Sequence, residues 1–200
     1  MEKTRNMRKA EGVRAVSAIV LLALLASTGL WVLTLRVGGN IHAVERGAFY
    51  RSAQLGPDKL AATIKSYGIR TVINLRGAAP GEKWYENEIA VSRRLHTEHI
   101  DLHMDAEKIP DAQTTQRLIY YMRNSPKPIL VHCKAGADRA GFASALYLLV
   151  VRHMPPTEAS AQLSIRYGHF PWIGKTAAMD IAFDRFSQVG GTGRVAGVRQ

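Results

Sequence analysis

The chain has 200 residues, 46% of them hydrophobic, with a single cysteine and a formal net charge of +11 at neutral pH. That length suits one domain with a sizeable core plus an appendage, and the lone cysteine excludes an internal disulfide framework. The charge does not mark a nucleic-acid binder: residues 37–189 hold nineteen Lys/Arg against fourteen Asp/Glu, without aromatic-basic interleaving or zinc-ligand spacing.

Residues 1–14 carry Lys3, Arg5, Arg8, Lys9 and Arg14 ahead of an uncharged run, 15–35. As a helix that run rises about 30 Å, the thickness of a bilayer core. Basic residues before it and Arg36 after it predict a single-pass transmembrane helix with a cytoplasmic N-terminus. The remainder would then lie on the periplasmic or extracellular side of the cell membrane. A cleaved signal peptide competes, since Ala26-Ser27-Thr28 is small, but the apolar run continues past that point. A retained anchor is favoured. Residues 36–40 read as a linker, 41–188 as the folded domain, and 189–200 as a glycine-rich flexible tail.

The domain opens with a hairpin, Ile41–Val44 and Ala48–Arg51, joined through Glu45-Arg46-Gly47. Pro57-Asp58 starts a helix that Gly68 stops. Ile69–Leu75 reads as a buried parallel strand with Arg76 at its carboxyl end, where ligands bind in open α/β sheets; a solvated loop arginine is the plain alternative. A helix follows over 82–95, with Trp84, Ile89 and Leu95 as core contacts, although Trp84 and Tyr85 could instead line a cleft. His99–Met104 alternates like a strand. His99 and His103 on one strand face lie about 13 Å apart, too far to share an ion with each other or with His96, so no metal site is expected and no cofactor is implied. A further helix carries Leu118, Ile119 and Met122.

The stretch that carries the chemistry is 129–141, a short apolar strand ending in His132-Cys133, a loop Lys134-Ala135-Gly136-Ala137-Asp138, and a helix from Arg139 to Arg152. A strand-turn-helix junction directs several backbone N–H groups at one point, and the helix N-terminus adds positive potential there. Small residues let an anion approach the backbone, and Gly136 can adopt positive φ. Cys133 supplies a nucleophile on the floor of this cradle. Arg139, six positions on, can fold back and bind two oxygens of a phosphoryl group. Together they describe phosphoryl transfer through a phospho-cysteine. Further helices are expected over 155–167 and 177–186, separated by a loop around His169.

This segment resembles the active-site loop of the cysteine-dependent protein tyrosine and dual-specificity phosphatases, His-Cys, five residues, then Arg. Cys-Lys-Ala-Gly is also similar to the loops of phosphoinositide and inositol-phosphate phosphatases. The resemblance implies an α/β fold with a parallel-type central sheet flanked by helices, here preceded by one transmembrane helix. It implies a phosphoric monoester hydrolase acting on a phosphorylated protein, phospholipid or inositol phosphate, with Cys133 and Arg139 catalytic and residues 134–139 binding phosphate. His132 would support the nucleophile, and Lys134 would hold a further phosphate or lie solvated on a basic rim. Tyr50-Arg51-Ser52-Ala53-Gln54 resembles the first strand of atypical members, with Arg51 facing the cleft or serving a structural salt bridge. A general acid is also implied, with Asp105 ranked before Glu107 and Asp111. Where the superfamily usually has Ser or Thr after the arginine, this chain has Ala140, which leaves phosphate binding in place and puts turnover in question. A phosphate-binding or substrate-trapping module with little turnover is the reading from another class.

Overall fold

The computed structural model describes the backbone of residues 2–191 and the side chains of 17, 19–31, 33–35 and 37–188. The chain divides into two units, Met1–Val37 and Gly38–Gln200. The first is almost entirely helix α1, Glu2–Gly38. Ile19, Val20, Leu21, Leu22, Leu24, Leu25, Leu30 and Leu33 are exposed along it. Ser27 and Thr28 return their hydroxyls to the carbonyls of Ala23 and Leu24 at 2.7 and 2.8 Å, so their polar atoms are met within the helix. The run 15–35, expected as a transmembrane helix, is helical and the helix extends beyond it at both ends. Among the described residues no helix is long and apolar enough to cross a membrane.

The second unit is built on a five-stranded sheet in the order β1-β2-β5-β3-β4. Its strands are β1 His42–Glu45, β2 Phe49–Ser52, β3 Thr71–Asn74, β4 Glu98–Asp101 and β5 Ile129–His132. The hairpin makes β1 an antiparallel edge, while β2, β5, β3 and β4 run parallel. The expected parallel-type sheet is thus a mixed one. Strand alternation divides the core between the two faces. Phe49, Ile73, Ile129 and Val131 pack on one side with helices α4 (Ala112–Asn124), α5 (Asp138–Leu146) and α7 (Ala178–Gly191). Tyr50, Val72 and Leu130 pack on the other with α2 (Pro57–Tyr67) and α3 (Lys83–Arg94).

Helix boundaries follow local chemistry. Pro57 opens α2, and Gly68 closes it in the left-handed region at φ 62° with its N–H on the carbonyl of Ile64. Two expectations are corrected. The helix from Arg139 ends its α-helical part at Leu146 and continues as one π-helical turn, Tyr147–Val151. The helix expected over 155–167 is broken into α6 (Pro156–Ala159) and two 3₁₀ turns, Ser160–Gln162 and Ile165–Tyr167. The cause lies elsewhere in the chain: buried Arg51 donates to the Gln162 carbonyl at 2.7 Å, a partner that a continuous helix would have used internally. The last helix runs to Gly191, past the expected end of the domain, and the rest of the expected tail, 192–200, lies outside the described residues.

Candidate active site

β5 is the middle strand, flanked by β2 and β3, so its carboxyl end opens between two neighbouring strand ends. Cys133 follows its last residue and is 2% exposed. The chain then turns through 134–137 into α5. What shapes this loop is a set of donors behind it. Arg51 Nη2 donates to the carbonyls of Gly136 and Ala137 at 2.8 and 2.9 Å. Asn40 Nδ2 donates to the carbonyl of Ala135 at 3.0 Å and to that of Tyr167 at 2.9 Å. With three successive carbonyls held from behind, the N–H groups of 134–137 have no protein acceptor among the described residues. Such a row of free donors is an anion nest.

Gly136 is required here. Its φ is +72°, and a Cβ would lie 2.6 Å from Ala53 N and 2.7 Å from Ser52 C. The expectation for Arg51 is corrected on both counts. It is fully buried behind the loop, and it hydrogen-bonds carbonyls and the side-chain oxygen of Gln162 (3.0 Å) where a carboxylate was expected. Its guanidinium also lies 4.1 Å over the Tyr167 ring. Burial pulls its pKa down to about 10, which still leaves it charged at neutral pH.

Arg139 is partly buried at the start of α5. Its Nη1 donates to the carbonyls of Met104 (3.0 Å) and Leu75 (3.5 Å), the chain just past β4 and β3. Its buried Nε has no protein partner. The guanidinium is held beside the nest with donors to spare for an oxyanion.

His132 points to the opposite sheet face, where α3 presents Glu88, 2% exposed. Glu88 Oε1 accepts from His132 Nε2 at 3.0 Å and from His99 Nε2 at 2.8 Å, and Gln54 Nε2 donates to Oε2. Burial alone would raise the Glu88 pKa. The hydrogen bonds from His132, His99 and Gln54, with the His132 charge, outweigh it and hold the carboxyl well below its usual range. Gln54 also accepts from Arg76 Nη1 at 3.2 Å, and Arg76 stacks 3.5 Å over Trp84. A side-chain path thus runs from the neighbour of Cys133 out to the rim.

His169, in the loop before the last helix, is structural. It is fully buried and bridges Asp138 (2.6 Å) and Asp180 (2.8 Å), which fixes the first residue of α5 to the last helix. Burial opposes its protonation, but the two carboxylates prevail and raise its pKa. His99 and His103 are spent on Glu88 and on the Arg76 carbonyl.

The acid candidates differ in what they already do. Asp111 caps α4, accepting from Thr114 N at 2.6 Å. Asp105 lies next to Met104, whose carbonyl holds Arg139, and accepts from Glu107 N at 2.9 Å while Lys108 sits 3.1 Å away. The Glu107 N–H and then Lys108 hold its carboxyl below the usual value. Glu107 is exposed on the same turn, as is Lys134 at the mouth of the nest. Ala140 is fully buried.

Sequence reasoning missed Glu88, Gln54 and Asn40. Glu88 had a readable signal, because it shares a helical face with Val91 and Leu95. The buried face of α3 is Glu88, Val91 and Ser92, with Ile89 only partly covered. Asn40 and Gln54 left no local signal, since their partners are 95 and 34 residues away.

The family described as DSP-PTPase phosphatase fused to NAD+ kinase matches residues 31–180. No curated protein matches the sequence. Among solved structures, P. aeruginosa TpbA superposes with a TM-score of 0.58 at 18% identity, over 78% of this chain and 92% of that one. The core catalytic domain of the PP-IP phosphatase SIW14 from S. cerevisiae gives 0.57 at 18%, over 76% and 93%. Tk-PTP in its active form gives 0.57 at 15%, over 74% and 97%. At these identities the likeness to the solved structures is one of fold.

Proposed function

The chain belongs to the family described as DSP-PTPase phosphatase fused to NAD+ kinase, within the cysteine-dependent dual-specificity phosphatases, and from that premise we propose that it hydrolyses phosphomonoesters through a phospho-cysteine on Cys133. The observation that carries this reading is the nest of 134–137, its carbonyls tied back by Asn40 and Arg51, between Cys133 and Arg139. The Cys133 thiolate attacks phosphorus while the nest and Arg139 take the three non-bridging oxygens. The bond from phosphorus to the leaving oxygen breaks, and that oxygen takes a proton from Asp105. Water then attacks the phospho-cysteine, Asp105 accepts its proton, and the thiolate leaves as phosphate forms.

Asp105 is preferred because Asp111 is committed to its helix cap and Asp105 neighbours the Met104 carbonyl that holds Arg139. To donate a proton it must release Lys108 and the Glu107 N–H. Phosphate release from an aryl phosphate by the full chain, set beside Cys133→Ser, tests the reading. Loss of release in the variant supports it. Tight vanadate binding without release in the native chain would make the protein a trapping module.

A phosphoinositide or inositol phosphate is the second substrate reading, favoured by Lys134 exposed within the loop and by the fold shared with a PP-IP phosphatase. We also propose that the uncharged run 15–35 anchors the chain in the cell membrane with the catalytic unit on the extracytoplasmic side. The exposed large apolar side chains along α1 between Ile19 and Leu33 support this. Retention of the full chain in the membrane fraction after an alkaline wash, and its loss on deleting 1–36, is the expected result. Recovery of the full chain in the supernatant would overturn it.

A further inference from the structure

We propose that Arg76, stacked on Trp84, and the cleft beside them form a second anion subsite, which selects phosphomonoesters whose alcohol portion carries a further phosphoryl group. The proposal rests on the phosphomonoester reading and names the class of substrate for that same site. Its first support is placement. In the parallel pair β3·β5, Asn74 lies opposite His132, and Leu75 N donates to the His132 carbonyl at 2.9 Å. Arg76 is the next residue, so it leaves the sheet edge beside the catalytic loop. Arg139 reaches the carbonyl of Leu75 directly. Burial, and after it the Arg139 charge, lower the Arg76 pKa against the opposing pull of the Glu88 and Glu82 carboxylates.

The second support is that Arg76 is fixed in position. Its guanidinium is stacked 3.5 Å over the Trp84 ring and bonded to Gln54 Oε1. Gln54 is itself held by Glu88 and by its own N–H on the Lys134 carbonyl at 3.3 Å. An arginine stacked this way has lost its rotamer freedom before any ligand arrives, so little ordering cost remains at binding. Yet no carboxylate pairs with it among the described ion pairs. A pinned, unpaired fork beside a phosphate nest matches a second phosphate.

The third support is the space. A cleft of about 390 Å³ is lined by the same Gln54 and Trp84 together with Leu55, Pro57, Lys83 and Asn87. Its walls suit the carbon frame of a small alcohol. Lys83 in its lining suits an anion attached to that frame, and Arg76 meets the cleft through its stack on Trp84 and its bond to Gln54. A soluble bisphosphate and a phosphoinositide headgroup share this chemistry.

The test uses the full chain in detergent or vesicles with three substrates: 4-nitrophenyl phosphate, a soluble inositol bisphosphate, and vesicles containing a phosphatidylinositol bisphosphate. For Arg76→Ala, the ratio of kcat/KM on a bisphosphate to that on the aryl phosphate is expected to fall at least tenfold. Arg76→Lys, which keeps the charge but not the fork, should recover part of it. A fall confined to the soluble or to the lipid arm names the source, and either supports the subsite. An equal fall on all three substrates, or none, overturns it. Should Arg76→Ala fail to fold, Trp84→Leu and Lys83→Ala must move the ratio in the same direction, and an unchanged ratio in both overturns the proposal. Failure of the underlying reading is seen separately, as phosphate release that survives Cys133→Ser.

Discussion

Ala140 is the residue at which this site departs most from the superfamily it resembles. A hydroxyl after the arginine would stabilise the departing thiolate, and a methyl group cannot. Rapid mixing with an aryl phosphate should therefore give a burst of alcohol followed by slow turnover. Ala140→Ser should shorten the life of the phospho-cysteine about tenfold, or ~1.4 kcal/mol of barrier, and shrink the burst. Arg139→Lys should lower kcat/KM by about 10²–10³, because an ammonium has no fork and cannot bridge the Met104 and Leu75 carbonyls while binding phosphate. Cys133 and Arg139 were legible in the sequence because their chemistry needs a fixed local spacing. Glu88 was missed despite sharing a helical face with Val91 and Leu95, because a glutamate on a helix ordinarily faces water; its two histidine partners, on β4 and β5, account for its burial.

The catalytic loop as an element depends on two features a substitution can remove one at a time. Gly136→Ala would place a methyl 2.6 Å from Ala53 N at a φ of +72°. The loop must then shift, at a cost of about 1–3 kcal/mol, and vanadate affinity should fall with it. Arg51→Met would leave the carbonyls of Gly136, Ala137 and Gln162 buried without their donor. A loss of about 3 kcal/mol in denaturant unfolding is expected, together with loss of activity, although Arg51 never faces the cleft. The strands, α2 and α3 could be read from periodicity and caps within two or three residues, and α4 by its apolar face. The break after Ala159 could not, because its cause is an arginine 111 residues earlier in the chain.

For the whole molecule, the two buried histidine-carboxylate clusters set opposite limbs of a pH-stability curve. His169 holds its proton more tightly when folded, against Asp138 and Asp180. Its contribution is full below about pH 6.5 and is lost as pH rises through the raised folded value. Glu88 is the reverse: its carboxyl is depressed when folded, so its contribution is present above about pH 4.5 and is lost as pH falls through the folded value. Melting temperature against pH should show both limbs, with His169→Asn flattening the alkaline one and Glu88→Gln the acid one. An unaltered curve in either variant would refute that assignment.

The donors that hold the nest, and the groups that in turn anchor Arg51 and Asp138, come from opposite ends of the catalytic unit. Asn40 and Arg51 precede Cys133 by 93 and 82 residues, whereas Gln162, His169 and Asp180 follow it. A ribosome releases the chain N-terminus first, so Cys133 emerges long before the residues that close its surroundings. The anchoring of Arg51 and Asp138 is therefore complete only once the final helix has docked. A nascent chain stalled before residue 162 would carry every residue proposed to touch phosphate and lack the Gln162, His169 and Asp180 partners that anchor Arg51 and Asp138.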